Sequence, residues 1–291
     1  MPENSSLMRR PYIKYIVSLF LFGTNGIVAS FISLSSYEIV FLRTLIGSLL
    51  LIAIFKLSGK KFNLRENKQD LVYIVISGIA MGTSWLFLYE AYSQMGVGIA
   101  TLLYYFGPVI VMILSPLLFK ERLTWKKLLG FAIVLLGEFL VNGKILSNGA
   151  SRLGLIFGAL SAVTYAVMVI TNKKSKKITG LKNATLQLVI AFLTVAVFVF
   201  FKQGFAIEIG SGNWLPLLIL GLVNTGAGCY LFFSSIGHLP VQTVAILGYL
   251  DPLSAVVFSV LVLNEVMLPL QVLGAILILG GAIFGEYSVK N

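Results

Sequence analysis

The feature that most constrains this chain is a series of apolar runs, each about 20 residues long, the length that carries a helix across a bilayer core. They fall at 12–32, 37–55, 71–90, 97–118 and 127–145, then at 153–171, 183–201, 213–234, 240–262 and 266–286. In hydrocarbon every backbone N–H and C=O must be satisfied within the protein, so a spanning segment is a helix or a strand of a closed barrel. A barrel strand needs about ten alternating residues. These runs are twice as long, rich in Gly and Leu, and do not alternate. The expected fold is all-α integral membrane, with ten transmembrane helices.

Composition agrees. Of 291 residues, 58% are hydrophobic and 11% charged, whereas a soluble domain carries roughly a quarter charged residues. Ten spans leave short loops and no room for a soluble domain. The first 15 residues are polar and basic and lack a cleavage pattern before Ser30, so the first run reads as a retained span. The single cysteine, Cys229, lies inside an apolar run, which leaves no disulfide and no thiolate metal site. No cofactor is expected.

The formal charge of +11 raises nucleic acid as a partner, but the basic residues are spread through short loops and do not gather on one face with stacking aromatics. Sorting them by loop gives a direction instead. Arg9, Arg10, Lys14, then Lys56, Lys60, Lys61, Arg65, Lys68, then Lys120, Arg122, Lys126, Lys127, then Lys173, Lys174, Lys176, Lys177, Lys182 and finally Lys290 share one side. These are 18 residues; the other side holds three, Lys144, Arg152 and Lys202, and Arg43 lies within a run. By the positive-inside rule both termini are cytoplasmic, in the plasma (inner) membrane of a bacterial-type cell.

A shift of 144 residues superposes the halves without a gap between about 78 and 141. Gly82 falls on Gly226, Tyr105 on Tyr249, Pro108 on Pro252, Ser115 on Ser259, Glu121 on Glu265, Gly130 on Gly274 and Gly137 on Gly281. The domains expected are therefore 1–146 and 147–291, each of five helices. Five is odd, so the second copy enters the membrane inverted. Inverted repeats place a substrate site near the midplane between the halves.

Tyr105-Phe106-Gly107-Pro108, Phe119-Lys120-Glu121-Arg122-Leu123-Thr124, Gly130 and Gly137, copied as Tyr249-Leu250-Asp251-Pro252, Leu263-Asn264-Glu265, Gly274 and Gly281, resemble the EamA branch of the drug/metabolite transporter superfamily. The resemblance covers nearly the whole chain. It implies ten helices and alternating access without ATP, and the chain has no GxxxxGK[ST] phosphate loop. It leaves the substrate open, because the family handles amino acids, amines, nucleosides and other metabolites. Small four-helix members carry a first-span glutamate that exchanges protons for drugs; here that span has Asn25 and no acid.

Ionisable groups inside spans are costly and are functional candidates by default. Asp251 lies about 16 Å deep by helical rise, beside Pro252, which removes a donor and displaces the carbonyl of Gly248. It reads either as a substrate or proton site or as a local partner for backbone that the proline loosens. Arg43 and Glu138 sit near a common depth of about 10 Å from the outer end, where an intramembrane ion pair is expected, with an outer gate or anion site as the other reading. Glu90 and Glu38 compete for Arg43. Trp85, Tyr89, Tyr105, Tyr165 and Tyr249 supply rings for a cation–π box, with Asn25 at its edge, although any one of them could be ordinary packing. Glu121 and Glu265 are expected to bond the amides at the start of the next helix.

The function these features support is secondary active transport of a small polar or zwitterionic metabolite such as an amino acid or related amine, with export the direction the resemblance implies. The expected partners are the small molecule, moved with or without protons, and membrane lipid, with a monomer as the working unit. A multidrug or quaternary-ammonium carrier is the alternative within that class. An integral membrane enzyme would need clustered His, Asp or Glu near one face, and the chain has one histidine, His238. A receptor would need neither the matched prolines nor the buried charges.

Overall fold

The computed structural model describes residues 3–59, 68–95, 97–142, 151–205, 207–263 and 268–287. Among these the chain is helical throughout, with no strand. The helices are α1 (Glu3–Gly23), α2 (Asn25–Ser30), α3 (Ser36–Leu57), α4 (Lys68–Met95), α5 (Val97–Tyr104), α6 (Phe106–Phe119) and α7 (Trp125–Asn142). The second half holds α8 (Arg152–Lys174), α9 (Gly180–Gln203), α10 (Trp214–Leu218), α11 (Gly228–Ser235), α12 (Val241–Leu247), α13 (Leu250–Leu263) and α14 (Pro269–Tyr287). Between α10 and α11 the backbone is a π-helix over Ile219–Ala227.

Eight helical stretches are long and apolar enough to cross a membrane: Arg10–Ser30, Ser36–Leu57, Lys68–Met95, Ala100–Phe119, Arg152–Lys174, Gly180–Gln203, Ser211–His238 and Val241–Val262. Pro269–Gly285 is apolar but shorter. α7 is 18 residues long and carries Lys126, Lys127 and Glu138. Large apolar side chains such as Leu57, Leu117 and Phe201 stand 78–88% exposed, the surface of a bundle that meets hydrocarbon rather than water.

Local chemistry explains the breaks. Ser35 starts α3 with a reciprocal capping box: its backbone N–H donates to Glu38 Oε2 at 2.8 Å and its hydroxyl accepts from the Glu38 amide at 3.4 Å. The fourth rod of each repeat is interrupted at a matched place. Tyr105 separates α5 from α6, and Gly248-Tyr249 separates α12 from α13. Pro108 and Pro252 each follow the break by three residues, where a proline cannot donate to the preceding turn. The Gly248 carbonyl, expected to be displaced, accepts instead from the Asp251 amide at 3.2 Å, a tighter i→i+3 turn that absorbs the lost bond.

Glycines bring the copies together. An added Cβ on Gly130 would stand 2.7 Å from the Gly281 carbonyl, and one on Gly137 would stand 2.6 Å from that of Gly274. Gly281 is the copy of Gly137 and Gly274 the copy of Gly130, so each residue meets the other's equivalent. That is the signature of a two-fold relation. Early α7 meets late α14 and the reverse, so these helices cross antiparallel. The other packed pairs swap likewise: α4 on α9 and α3 on the π-helix, α4 on α8 and α1 on α11, α6 on α8 and α1 on α13. Serine hydroxyls tie the interfaces, with Ser77 donating to the Met168 carbonyl at 2.7 Å and Ser84 to that of Ser161 at 2.8 Å.

Candidate functional site

Arg43 lies about two turns into α3 and is 5% exposed. Its Nε donates to Thr225 Oγ1 at 2.8 Å, and its Nη2 to Asn25 Oδ1 at 3.4 Å. The guanidinium stands 5.0 Å from the ring centroid of Trp85, within cation–π range. Thr225 is available because the π-helix turns it inward, its own hydroxyl donating back to the Leu220 carbonyl at 2.8 Å. π-Helical turns recur at functional sites. Asn25 opens α2, directly after the break at Thr24. Asn224 Nδ2 stitches that break, reaching the Leu21 carbonyl at 3.0 Å, Thr24 Oγ1 at 2.8 Å and Asn25 Oδ1 at 3.1 Å.

Asp251 stands half-buried in the first turn of α13, with the Tyr105 hydroxyl near its carboxylate. Tyr105 meets Tyr104 at 5.4 Å and Tyr249 at 6.0 Å, and Tyr104 meets Tyr165 edge-on at 5.2 Å. The structure therefore gathers Tyr105, Tyr165, Tyr249 and Asp251 into one cluster and Asn25, Arg43 and Trp85 into another. α2 packs on α13 and joins the two, and Arg43 is near enough to act electrostatically on Asp251.

Two expectations change, those for Tyr249 and for the Arg43–Glu138 pair. Tyr249 has no exposed surface and its hydroxyl donates to the Tyr105 carbonyl at 2.6 Å, so it braces the break from behind the ring cluster. Tyr89 stacks edge-on with Tyr92 at 5.1 Å and packs with Trp85, Leu86, Val195 and Val199 between α4 and α9. Arg43 and Glu138 do not form a salt bridge: among the described residues the one salt bridge joins Lys202 to Glu90 at 3.0 Å. Glu138 is buried on α7, which packs against α14, and its charge bears on Tyr105 and Tyr249. The rivals for Arg43 are engaged as well, Glu90 with Lys202 and Glu38 in the Ser35 capping box. The central rings pack against one another, and a cavity of about 220 Å³ opens elsewhere, between Arg10, Pro11, Lys14, Ser234 and His238.

Glu121 also behaves differently. It accepts from the amides of Val241 at 2.7 Å and Gln242 at 3.1 Å, at the start of α12 in the other half. The next helix, α7, uses Thr124, whose hydroxyl accepts from the Lys127 amide at 3.3 Å. α12 has Pro240 at its N-cap and no side-chain cap of its own, so its orphan amides are open to a carboxylate from outside. Lys127 Nζ donates to Gln242 Oε1 at 2.8 Å, and Gln242 Nε2 to Ser115 Oγ at 3.1 Å. This seam joins the halves at one end of the bundle. Glu265, the repeat copy of Glu121, lies outside the described residues. Thr225 and Gln242 were not singled out by sequence reasoning. The available signals were a polar Asn224-Thr225 pair among glycines and a glutamine opening an apolar run.

Two helical repeats crossing about a two-fold, with an arginine and an aspartate lodged within apolar spans, define an integral membrane transporter assembled from paired repeats. The EamA-like transporter family matches residues 10–143 and again 152–285. The chain belongs to that family, and is a transporter of the EamA, drug/metabolite type.

It is 27% identical over 272 residues to the uncharacterized transporter YxxF of Bacillus subtilis, covering 92% of this chain and 87% of the relative. It is 24% identical to the threonine/homoserine exporter RhtA of Escherichia coli, covering 86% and 81%, and 24% identical to the riboflavin transporter ImpX of Fusobacterium nucleatum, covering 89% and 91%. A solved crystal structure is similar over 97% of this chain and 99% of its own, with a TM-score of 0.81 and 18% identity, a likeness of fold.

Proposed function

We propose that this chain is a secondary carrier of ten spans, with both termini cytoplasmic, that exports a small polar or zwitterionic metabolite, amino acids and related amines foremost. The carrying observation is Asp251, beside Tyr105 at the break between α12 and α13, where the repeats meet. A carboxylate at mid-span is costly, and one beside rings suits a substrate with an ammonium group. The RhtA relative, a threonine/homoserine exporter, and a probable amino-acid metabolite efflux pump of Escherichia coli, 26% identical over 67% of this chain, support the substrate class. ImpX, a riboflavin transporter, marks the family's breadth. A quaternary-ammonium carrier fits less well, because Arg43 already stands over Trp85. The molecule works as a monomer in the inner membrane, its seam at Glu121 and Gln242 closing the cytoplasmic end.

Efflux from preloaded proteoliposomes tests the site. Asp251→Asn keeps shape and removes charge, so counterflow of the amino acid or amine carried by the wild type falls at least tenfold while the folded yield holds. Normal transport by Asp251→Asn at every pH from 5.5 to 8.5 would assign the acid to the proline turn alone. Labelling tests the topology: a membrane-impermeant thiol reagent modifies Ser35→Cys or Ser211→Cys from outside and misses Lys61→Cys and Lys176→Cys. The opposite pattern overturns the orientation.

A further inference from the structure

We infer that Arg43 is the carboxylate receptor of this same site, so that the chain selects α-amino acids, which bear both charges, over amines or acids that bear one. The inference rests on the carrier reading and extends it from an ammonium site to a two-charge site.

The first observation is that Arg43 is buried and, among the described residues, has no carboxylate bridged to it. A charged group inside a span pairs with another charge or with backbone carbonyls, and the hydrogen bonds of Arg43 go to the side chains of Thr225 and Asn25 instead. Among the described residues no salt bridge reaches it, and Glu90 and Glu38 are spent on Lys202 and on the Ser35 cap. Asp251 is within electrostatic reach but is not bridged to it. Unlike charges in low dielectric attract strongly, so two that stay apart must each be held in place. The structure supplies the holders for Arg43 in Thr225, Asn25 and the Trp85 ring, and places Tyr105 beside Asp251 at the break between α12 and α13.

The second observation is what the holders leave over. A guanidinium carries five N–H donors in a rigid planar fork, a match for a carboxylate. Thr225 and Asn25 accept from two of its nitrogens, and Trp85 covers one face and so fixes the plane. Every Arg43 nitrogen is either hydrogen-bonded or open to accessible space, so the fork retains donors for a ligand. An ionised carboxylate offers about four acceptor positions, and Tyr105 beside Asp251 can fill one at most. A ligand whose carboxylate meets Arg43 and whose ammonium meets Asp251 completes both groups at once. A singly charged ligand completes one and leaves the other uncompensated, and sites that lose a buried polar partner reject the analogue by factors of 100 or far more.

The test uses the purified full chain in nanodiscs, with calorimetric titration of L-alanine, L-serine, L-threonine and L-homoserine. Each is compared with its decarboxylated amine and its deaminated acid; for threonine these are 1-aminopropan-2-ol and 3-hydroxybutanoate. The expected result is that at least one amino acid binds about 100-fold tighter than either analogue. Arg43→Gln then brings amino acid and amine to within about threefold while the amine still binds, and Asp251→Asn does the same for amino acid and acid. Wild-type binding of an amine as tight as that of its amino acid overturns the inference without any variant. So does failure of all four amino acids to bind, or loss of amine and amino acid together in a folded Arg43→Gln protein. If the discrimination holds but proteoliposomes do not move the bound amino acid, the clamp stands and the carrier reading falls. If another solute is moved and no amino acid binds, the clamp falls alone.

Discussion

α4 and its repeat copy, the rod built from α10, the π-helix and α11, approach Arg43 with different chemistry. α4 is regular and presents Trp85, whose ring lies under the guanidinium. The copy is unwound into π geometry over Ile219–Ala227 and presents Thr225, which accepts from Nε. At the 144-residue offset Trp85 matches Cys229 and Thr225 matches Met81, so each half lacks what the other supplies. Duplication provides two similar rods, and divergence at a few inward positions turns their meeting place into an asymmetric site. The two copies have kept their glycines, Gly82 and Gly226, where they pack on α9 and α3.

The largest expected effect separates those two glycines. A Cβ on Gly82 would sit 2.8 Å from the Ala191 carbonyl, backbone that cannot move aside, whereas on Gly226 it would meet the tip of Leu50 at 2.7 Å, a side chain that can swing. Gly82→Ala is expected to cost about 2–3 kcal/mol, and Gly226→Ala under about 1 kcal/mol once the gain in helix propensity is counted. Unfolding in mixed micelles measures both, and equal costs would mean that the copies pack alike.

Next comes Thr225→Val, which removes the acceptor from a buried guanidinium. Roughly 2 kcal/mol is expected, in the range for a hydrogen bond to a charged group, with Thr225→Ser nearly neutral. If valine is tolerated as well as serine, the π-helix does not hold Arg43. Trp85→Phe keeps a ring but a weaker one, and a double-mutant cycle with Arg43→Gln should return a coupling of about 0.5–1 kcal/mol. The smallest effect is the sharpest contrast with the sequence expectation. The cycle of Arg43→Gln with Glu138→Gln should be additive to within about 0.5 kcal/mol, and a coupling above about 1 kcal/mol would restore the ion pair.

Much of the site was legible one residue at a time. Asp251, Arg43 and Asn25 were conspicuous because polar and charged groups within apolar runs are costly, and Trp85 as a ring for a cation; the structure brings Arg43, Asn25 and Trp85 into direct contact. Depth alone then paired Arg43 with Glu138, because helical rise locates a residue along the span and says nothing about which face it occupies or which helix lies opposite. Tyr249 was legible as central and illegible as buried, since the helix break behind Tyr105 determines which ring faces inward. Glu121 was legible as a cap and assigned to the wrong helix. Sequence adjacency favoured α7, which Thr124 already serves, and the open amides belonged to α12.

What the sequence determined by itself is whatever depends on local composition and on comparison of the chain with itself. Apolar runs of bilayer length require helices because backbone polar groups in hydrocarbon have no other partners. Matched glycines and prolines require two similar halves. The tertiary structure alone decided which groups meet across 182 residues from Arg43 to Thr225 and 120 from Glu121 to Val241. Those contacts depend on the antiparallel crossing of the copies at Gly130, Gly137, Gly274 and Gly281 and on the π turns that rotate Thr225 inward. Both are geometric consequences of docking the halves, and no window of residues along the chain contains them.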